Sequence, residues 1–325
     1  MGKINALIIT SGGDSPGMNK LIKETSLNLI HYGRVNKKEV KIFFGYRGYL
    51  GLFQDDIKEV EPENIFFIDE NASGSVIKSA RFVDLGNNIE TKTIIKNLKE
   101  KGINLLVVIG GDGSMAGLNE LHQKSKITSI GILASIDNDF KYSYTVGADS
   151  ATISNILNTN ALIKSARTHD AIQFIEYMGR NSNWLTRESL KTFKPLLILD
   201  NTNRELDTIE IMDLIFERMK DKTSNYDPIV GVQEKVFSAG LFENLKGVIE
   251  EHPLYRFRYI NLSYLQRGAN ISISDQKIIK QITSFLNSQL KTILFNHEMN
   301  VICYDKEKDV VEVKKTLKWK KRLKS

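Results

Sequence analysis

The sequence is poor in cysteine, in proline and in long hydrophobic runs. Its single cysteine, Cys303, excludes an internal disulfide, fits a reducing compartment and is read as a buried strand residue. No apolar run approaches the roughly 20 residues of a membrane helix, and no basic segment with a cleavage site precedes the first strand pattern. We therefore expect a cytoplasmic protein with no membrane partner. The five prolines mark no hinge between domains.

The net charge of +6 is concentrated at one end of the sequence. Residues 314–325 contain seven lysines or arginines and no acid, and without them the chain has 38 basic and 39 acidic residues, a net charge of −1. A nearly neutral body predicts no nucleic-acid partner. The basic tail could contact an anionic surface, but we favour a solvated terminus with Trp319 docked on the body.

Short β-branched runs alternate with helical patterns, such as those at 88–101 and 205–220. Strands that read as nearly continuous apolar runs are buried on both faces, so the pattern predicts a doubly wound α/β fold with mainly parallel sheets. A chain of 325 residues favours two lobes over one core. The predicted strands are 6–10, 40–44, 105–109, 129–133, 172–177, 196–199, 229–233, 258–262 and 300–304.

Two glycine-rich segments follow predicted strands and precede helices, at 11–19 and 110–114. Ligands of parallel sheets bind beyond the carboxyl ends of the strands, and helix N-termini bind phosphate. A tight turn alone would explain the first segment equally well. A second segment, Gly-Gly-Asp-Gly-Ser, favours phosphate binding and places Asp112 where it could hold Mg²⁺.

Charged residues also follow other predicted strands. Segment 136–139 reads Ile-Asp-Asn-Asp, in which one carboxylate can accept a proton from an attacking hydroxyl while the other orients it or a metal. A surface turn is the alternative interpretation. An arginine in Met-Gly-Arg at 178–180 suits a phosphate group, whereas Arg258 and Arg267, taken singly, could be surface cations.

Taken together, these motifs resemble the bacterial-type ATP-dependent 6-phosphofructokinases. The resemblance runs from residue 11 to about 276 and implies two similar doubly wound lobes. It also implies phosphoryl transfer from ATP, with Mg²⁺, to the 1-hydroxyl of fructose 6-phosphate in glycolysis, in a homotetramer with shared sites. The motifs lie in family order at 11–19, 48–52, 79–82, 110–114, 136–139, 178–180 and 266–268.

The resemblance assigns a role to each matching residue. It makes Asp137 the general base, Asp112 the metal ligand and Arg180 the group that stabilises transition-state charge. Asp139, Ser135 and Arg81 complete its catalytic set. The expected ATP contacts are Gly13, Tyr46, Arg81, Phe82, Gly111, Asp112, Gly113 and Ser114. The expected sugar-phosphate contacts are Ser135, Asp137, Met178, Gly179, Arg180, Glu234, Arg258, Tyr264 and Arg267.

The resemblance also divides the chain by function. Residues 1–140, with a return near 260–310, would bind nucleotide, residues 141–255 would bind the sugar phosphate, and 314–325 would form the tail. The donor is expected to be ATP, because pyrophosphate-using relatives carry aspartate at the position of Gly113 and lysine at that of Ala134.

Several positions depart from the family pattern. An arginine that reaches the sugar 6-phosphate is replaced by Ala171, with Arg167 and Lys164 as candidate substitutes, and a histidine is replaced by Tyr264. Lys78 replaces a glycine, and Ala134-Ser135 replaces Gly-Thr. Four effector-site positions are also altered, so we expect weak or absent control by ADP or phosphoenolpyruvate. Those positions are Lys23, Leu27, Ile163 and Lys194.

Two alternatives stay open at this point. Ala171 and Tyr264 would sit at the sugar end, which leaves room for a kinase of another sugar phosphate. A regulatory paralogue that binds nucleotide without turnover is the other alternative. The retained charged residues Asp112, Asp137 and Arg180 argue against it, because a decayed site would lose its chemistry first.

Overall fold

The computed structural model describes residues 2–82, 88–141, 143–220 and 225–314. Helices alternate with strands that form two mainly parallel sheets, which confirms the predicted α/β class. Each of the nine predicted strands is present, with ends that differ by one to a few residues. The predicted basic tail beyond Lys314 lies outside the described residues. Among the described residues, no helix combines the length and the apolarity needed to cross a bilayer.

The chain folds into two compact units. The first unit contains the chain up to Ser135, the segment Phe140–Ala148 and the chain from Asn270 onward. The second unit contains Ile136–Asp139 and Asp149–Ala269. The nucleotide-binding and sugar-phosphate-binding roles assigned to the two lobes from sequence stay predictions.

The first unit is built on a seven-stranded sheet in the order β11-β10-β5-β4-β1-β2-β3. Its strands are β1 (Lys3–Ser11), β2 (Glu39–Gly45), β3 (Ile57–Val60), β4 (Leu105–Gly110), β5 (Thr128–Leu133), β10 (Met299–Asp305) and β11 (Val310–Lys314). Its helices are α1 (Met18–Val35), α2 (Gly48–Phe53), α3 (Pro62–Phe66), α4 (Asn88–Glu100), α5 (Asp112–Ser125) and α10 (Ile273–Asn296).

The order of strands places the carboxyl ends of β1 and β4 at a topological switch point. β1 pairs in parallel with both β2 and β4, and the chain runs from β1 to β2 on one side but from β4 to β5 on the other. Ligands of doubly wound sheets bind where the connections diverge in this way. The two glycine-rich segments therefore begin at the expected binding edge of this sheet.

Two antiparallel edge strands, β3 and β11, were absent from the sequence-based prediction. β3 pairs with β2 and β11 pairs with β10. Their sequences, Ile-Lys-Glu-Val and Val-Val-Glu-Val-Lys, are short and include charged residues, because an edge strand is only partly covered. They therefore lack the continuous apolar run by which the other strands were identified.

The second unit contains a four-stranded parallel sheet in the order β7-β8-β6-β9. One face, through Ile172 and Phe174, packs against α8 and α9, and the other, through Ile175 and Tyr177, packs against α6 and α7. Its strands are β6 (Ala171–Tyr177), β7 (Pro195–Leu199), β8 (Asp227–Gln233) and β9 (Arg256–Asn261). Its helices are α6 (Ala148–Thr168), α7 (Trp184–Leu190), α8 (Thr208–Lys220) and α9 (Ala239–Glu251), and α6 begins in the first unit.

Helix α8 begins three residues later than its apolar pattern predicted. The Asp207 carboxylate accepts a hydrogen bond from the Glu210 N–H at 2.9 Å, and the Glu210 carboxylate accepts one from the Asp207 N–H at 3.0 Å. This reciprocal pair satisfies two N–H groups at the helix start. Residues 205–207 therefore precede the helix instead of forming its first turn.

Candidate active site

The loop after β1 turns the chain sharply from strand into helix α1. Gly12 and Gly17 both have positive φ values, of 90° and 89°, and Gly17 lies immediately before the helix. A Cβ atom at Gly17 would lie 2.9 Å from side-chain carbons of Val146 and Ile279. Both the backbone conformation and the packing therefore require glycine there. The turn leaves the first N–H groups of α1 available to an anion.

The loop after β4 lies against the loop after β1. The Ser114 hydroxyl donates a hydrogen bond to the Ser11 carbonyl at 2.9 Å, and a Cβ atom at Gly110 would lie 2.4 Å from that carbonyl oxygen. Asp112 is in the first turn of α5, where the positive end of the helix dipole favours a carboxylate or a phosphate. The structure thus brings together the two predicted phosphate-binding loops.

The segment that precedes Arg81 is bonded to the first glycine loop. The Gly12 N–H donates to the Ala80 carbonyl at 3.2 Å, and the Ser79 hydroxyl donates to the Gly12 carbonyl at 3.0 Å. Arg81 itself is exposed, and the ring of Phe82 packs 5.8 Å from that of Phe53. The predicted ATP contacts at 13 and 81 therefore lie on neighbouring, mutually bonded backbone.

Ser135 lies beside the second glycine loop. A Cβ atom at Gly111 would be 3.6 Å from the Cβ of Ser135, whose carbonyl accepts a hydrogen bond from the Thr145 hydroxyl at 2.7 Å. Gly113 faces open space, because a Cβ atom there would meet no heavy atom within 4 Å. The first unit thus gathers Ser135 and the loop 111–114 at one edge of its sheet.

Tyr46 follows the end of β2, one strand away from the glycine loops. Its ring centroid lies 5.2 Å from the Lys58 ammonium, and the ring lines a cleft of about 260 Å³ with Phe44, Val60 and Ile77. No contact to an adenine follows from this geometry by itself, so its predicted role in ATP binding stays a prediction.

The residues present at the start of α5 fit a magnesium ion that is carried in with phosphates. Among the described residues, no group of three His, Cys, Asp or Glu side chains lies close enough to form a protein-only metal cage. Asp112 supplies one carboxylate at a helix N-terminus. One or two carboxylates, together with phosphate oxygens and water, are the usual protein contribution to a magnesium–nucleotide site.

In the second unit, loops gather at the carboxyl end of the four-stranded sheet. The turn after β6 contains Met178, Gly179 with φ 128°, and the exposed Arg180. The Glu234 N–H donates to the Tyr177 carbonyl at 2.9 Å, which places the end of β8 beside this turn. The predicted contacts in segments 178–180 and 234 therefore lie on adjacent strand ends.

The Gln-Arg-Gly segment joins the same edge. A 3₁₀ turn, Ser263–Gln266, follows β9, and the Gln266 side chain accepts a hydrogen bond from the Met178 N–H at 3.1 Å. Tyr264 on this turn is 76% exposed, so its phenol can reach a ligand, and Arg267 follows directly. The structure thus brings the 178–180 turn and the 264–267 segment together.

The Ile-Asp-Asn-Asp segment is anchored next to the Met-Gly-Arg turn. Ile136 is buried in a cluster with Ala151 and Leu185, and Met178 and Trp184 pack on that cluster. Asp137 follows Ile136 directly, and Asp139 lies two residues further on, after Asn138 with φ 43°. The second unit therefore places a carboxylate and a guanidinium, those of Asp137 and Arg180, on neighbouring segments.

A buried carboxylate that sequence reasoning missed, Asp200, bonds the start of α7, which follows the Met-Gly-Arg turn in the chain. Asp200 accepts hydrogen bonds from the Arg187 guanidinium, from the Asn183 amide at 3.1 Å, and from the N–H and hydroxyl of Thr202 at 2.9 and 2.6 Å. Burial alone would raise the pKa of Asp200, but the hydrogen bonds from Arg187 and Thr202 outweigh it and lower the pKa.

Comparison with known protein families matches residues 5–285 to the phosphofructokinase family model. The chain belongs to the phosphofructokinase family. It is 36% identical over 285 residues to a probable ATP-dependent 6-phosphofructokinase of Ureaplasma parvum, covering 87% of this chain and 86% of the relative. It is 30% identical over 285 residues to ATP-dependent 6-phosphofructokinase 2 of Bacteroides thetaiotaomicron, covering 87% and 84%.

Solved structures of phosphofructokinases share the fold. The phosphofructokinase of Saccharomyces cerevisiae aligns with a TM-score of 0.78 at 22% identity, over 96% of this chain and 44% of the yeast chain, so this chain spans less than half of that protein. A pyrophosphate-dependent enzyme of Marinobacter aquaeolei aligns with a TM-score of 0.72 at 17% identity, over 96% and 82%. An enzyme named pyrophosphate-dependent therefore shares this fold, so the fold alone does not select the donor.

Arg258 is a predicted site residue of this phosphofructokinase-family chain that the second unit does not bring to the Met178 turn. It lies within β9 in register with Gln173, five residues before Met178 along β6, or roughly 16 Å at the usual strand rise. Its guanidinium donates to the Ser165 hydroxyl at 3.1 Å. Arg258 is therefore directed to α6 and does not lie at the turn that bears Arg180.

The position of the family arginine, Ala171, is buried at the start of β6. Its register partner on β9 is Arg256, whose side chain is exposed and points to the same face as that of Arg258 two residues further on. Arg167, one of the two substitutes considered from sequence, instead donates to the Asp227 carboxylate at 2.8 Å. Sequence reasoning missed Arg256, although the alternation Arg-Phe-Arg at 256–258 was a usable signal.

Proposed function

We propose that this protein is a cytoplasmic glycolytic kinase that transfers the γ-phosphoryl group of ATP to the 1-hydroxyl of fructose 6-phosphate. The products are fructose 1,6-bisphosphate and ADP. The observation that carries the proposal is the placement of Asp137 beside the turn that bears Arg180, through the Ile136 and Met178 cluster. Family membership and relatives named ATP-dependent 6-phosphofructokinase at 36% and 30% identity support it.

In this mechanism, residues of the first unit bind ATP and residues of the second bind the sugar phosphate. The Asp137 carboxylate accepts the proton of the 1-hydroxyl while that oxygen forms a bond to the γ-phosphorus. The bond between the γ-phosphorus and the oxygen that bridges it to the β-phosphate breaks, and ADP leaves. Arg180 donates to the oxygens that gain charge, and Asp139 would orient the attacking hydroxyl or the metal.

The glycine loops and Asp112 act on the nucleotide. The N–H groups at the starts of α1 and α5 bind phosphate oxygens. Arg81 follows the segment that is bonded to the first loop, and the Ser114 hydroxyl bonds the second loop to the first. Asp112 would hold Mg²⁺, which supplies charge neutralisation on the phosphates when bound. Ser135, beside Gly111, would contact the transferred group.

The small residues at 113 and 134 favour ATP over pyrophosphate. Gly113 borders open space, which leaves room for the part of the nucleotide beyond its phosphates. Ala134 is fully buried at the end of β5, so a lysine there would have to bury its charge. The first unit is thus shaped for a donor that is larger than pyrophosphate.

Arg258, a predicted contact of the sugar 6-phosphate, lies away from the Met178 turn, where Arg180 and Arg267 are the neighbouring cations. We propose that Arg258 and Arg256 serve the site of a neighbouring copy, within the homotetramer that the family resemblance implies. Their guanidiniums lie on one face of an edge strand, and Arg256 occupies the register position next to Ala171. Arg267 and Glu234 would complete the sugar contacts from the Met178 side.

The test is turnover by purified protein with ATP, fructose 6-phosphate and Mg²⁺, beside an Asp137→Asn variant and a pyrophosphate control. ATP-dependent turnover that falls by about 10² to 10⁴ in the variant supports the donor, the acceptor and the base. An equal rate with pyrophosphate would contradict the donor assignment. A folded, ATP-binding protein with no turnover would contradict the proposed function.

A second candidate is a kinase of another sugar phosphate, which the departures at Ala171 and Tyr264 favour. The exposed phenol of Tyr264 is larger than the family's histidine and has different hydrogen-bonding capacity. Profiling sugar phosphates as acceptors separates the candidates. A higher kcat/KM for an acceptor other than fructose 6-phosphate, shifted back by Tyr264→His, would favour the second one.

A further inference from the structure

Two buried glutamine side chains hold the backbone of the turn that presents Arg180. The Gln266 carbonyl oxygen accepts the Met178 N–H at 3.1 Å, and the Gln233 amide donates to the Gly179 carbonyl at 2.6 Å. Both side chains are essentially inaccessible to solvent. The backbone groups on either side of the Met178–Gly179 peptide are therefore fixed from two different strand ends, β8 and the turn after β9.

Each glutamine uses both ends of its amide group. The Gln233 oxygen accepts the Asn201 N–H at 3.0 Å, and the Gln266 nitrogen donates to the Ser263 carbonyl at 3.2 Å. An amide has both a donor and an acceptor, a carboxylate at neutral pH has acceptors alone, and a thioether has almost neither. Neither glutamate nor methionine can therefore replace these side chains without leaving a buried polar group unpaired.

The position of Gln266 is fixed by a second buried amide. The Asn155 side chain donates to the Gln266 oxygen at 3.1 Å and to the Ser189 hydroxyl at 2.9 Å, and all three residues are fully buried. Asn155 lies on α6 and Ser189 on α7. The turn is thus connected through hydrogen bonds to both helices on one face of the sheet.

We propose that Gln233 and Gln266 are positioning residues for Arg180, which they do not touch. They hold the peptide groups from which the arginine side chain begins, so that its guanidinium meets the transferring phosphoryl group without reorganisation. Pre-set donors stabilise transition-state charge more than mobile ones do, and small displacements of a catalytic group are costly. This inference rests on the proposed function in assigning that role to Arg180.

The test compares Gln233→Glu and Gln266→Glu in two backgrounds, wild type and Arg180→Ala. In the wild-type background we expect kcat to fall about tenfold or more, with the KM for ATP within about twofold. In the Arg180→Ala background we expect no further fall, because the glutamines act through the missing side chain. An equal fall of kcat in both backgrounds would overturn the proposal, because the glutamines would then have only a general structural role.

A matched control tests whether any buried amide would have the same effect. Asn300, at the amino end of β10, is buried and its amide donates to the Glu298 carbonyl at 3.1 Å. Asn300→Asp makes the same chemical change at the amino end of a strand of the seven-stranded sheet. The glycine loops follow the opposite, carboxyl ends of that sheet's strands. We expect kcat to stay within about twofold in this variant.

A second measurement needs no turnover and covers the case in which the glutamate variants fold poorly. In Gln266→Met, which is uncharged and similar in volume, amide hydrogen exchange at Met178 should become about tenfold faster or more. Unchanged exchange there would overturn the proposal. Inactive wild-type protein would instead contradict the proposed function, so the two failures are distinguishable.

Discussion

Gly179 combines a backbone conformation and a close contact that no other residue type tolerates. Its φ is 128°, and a Cβ atom at this position would lie 2.3 Å from the Ser182 carbonyl oxygen. Ser182 also donates its N–H to the Gly179 carbonyl at 3.2 Å, which closes the turn. The path of the backbone at Arg180 therefore depends on the absence of a side chain one residue earlier.

We predict that Gly179→Ala lowers the free energy of unfolding by about 1–3 kcal/mol, because it combines a strained φ with a backbone clash. Turnover should fall with it. Urea unfolding and initial-rate kinetics measure both effects. Gly247→Ala is the matched control, since Gly247 lies in α9 with no heavy atom within 4 Å of a built Cβ. That control should gain about 0.5–1 kcal/mol, and a loss at both positions would contradict the argument.

Asp200 makes a pH-dependent contribution to stability. Its folded-state pKa is lowered, so its contribution is fully present above the unfolded pKa and is lost as pH falls through the folded value. We predict that Asp200→Asn costs about 1–3 kcal/mol near neutral pH. The difference from wild type should shrink as pH falls from about 5 toward 3.

Urea unfolding at several pH values checks the Asp200 prediction. Asp213→Asn, at an exposed position of α8, removes a carboxylate without removing a hydrogen-bonded network and serves as the control. If the difference in unfolding free energy between Asp200→Asn and wild type stays constant with pH, the charge of Asp200 is not what stabilises the protein.

The residues proposed to contact ligands are easier to identify from sequence than the residues proposed to position them. Asp112, Asp137 and Arg180 stand in motifs directly after apolar runs, so the sequence marks them. Gln233 has no such motif, because its role follows from the pairing of Tyr177 with Gln233 across β6 and β8. Which strand ends are neighbours is a property of the sheet order, and local patterns do not contain it.

At the level of elements, strand β9 is an edge strand that carries two cations on one face. Arg256 and Arg258 alternate with Phe257, which packs into the apolar cluster on the other face. The guanidinium of Arg256 donates to the Tyr255 carbonyl at 3.1 Å, an exposed contact that a phosphate could displace. At the register position of Ala171, which carries no charge, β9 thus supplies the cation of Arg256.

We predict that Arg256→Ala raises the KM for fructose 6-phosphate about tenfold, the effect of one lost charge-assisted hydrogen bond. The KM for ATP should not change. Arg204→Ala, which removes an exposed arginine paired with Glu205, is the control. If wild type and Arg256→Ala have equal KM values for fructose 6-phosphate, Arg256 does not bind the sugar phosphate.

The strands that the sequence predicted and those that it missed differ in burial. The predicted strands, such as β4 with its six buried residues, read as continuous apolar runs. The two missed strands lie at the edges of the seven-stranded sheet, where charged residues interrupt the pattern. An edge strand forms because a neighbouring strand offers unpaired backbone groups. Its own sequence therefore does not reveal it.

At the scale of the whole molecule, two lysines of α1, Lys20 and Lys23, are already paired with the chain's own acidic and carbonyl groups. The Lys20 ammonium lies 2.6 Å from the Glu70 carboxylate and 3.4 Å from that of Glu24, and the Lys23 ammonium donates to the Ile68 carbonyl at 3.0 Å. Burial would lower the pKa of Lys20, but the pairing with Glu70 and Glu24 raises it. A phosphate effector would have to compete with these internal partners.

We therefore predict hyperbolic saturation with fructose 6-phosphate, a Hill coefficient of about 1, and weak or absent control by ADP or phosphoenolpyruvate. Ile163, at another altered effector position, is buried in the core of the second unit and offers no charge. Initial rates over a range of sugar phosphate, with and without each effector, provide the check. Sigmoidal saturation that ADP relieves would contradict the prediction.

The chain's single cysteine has a practical consequence for labelling experiments. Cys303 is fully inaccessible in β10, and burial raises the pKa of its thiol to about 12, so reactive thiolate is scarce at neutral pH. The native protein should therefore remain unmodified by maleimide dyes while folded. A cysteine introduced at the exposed Asn181, next to Arg180, would then carry the dye alone, and its fluorescence could report ligand binding without first engineering a cysteine-free background.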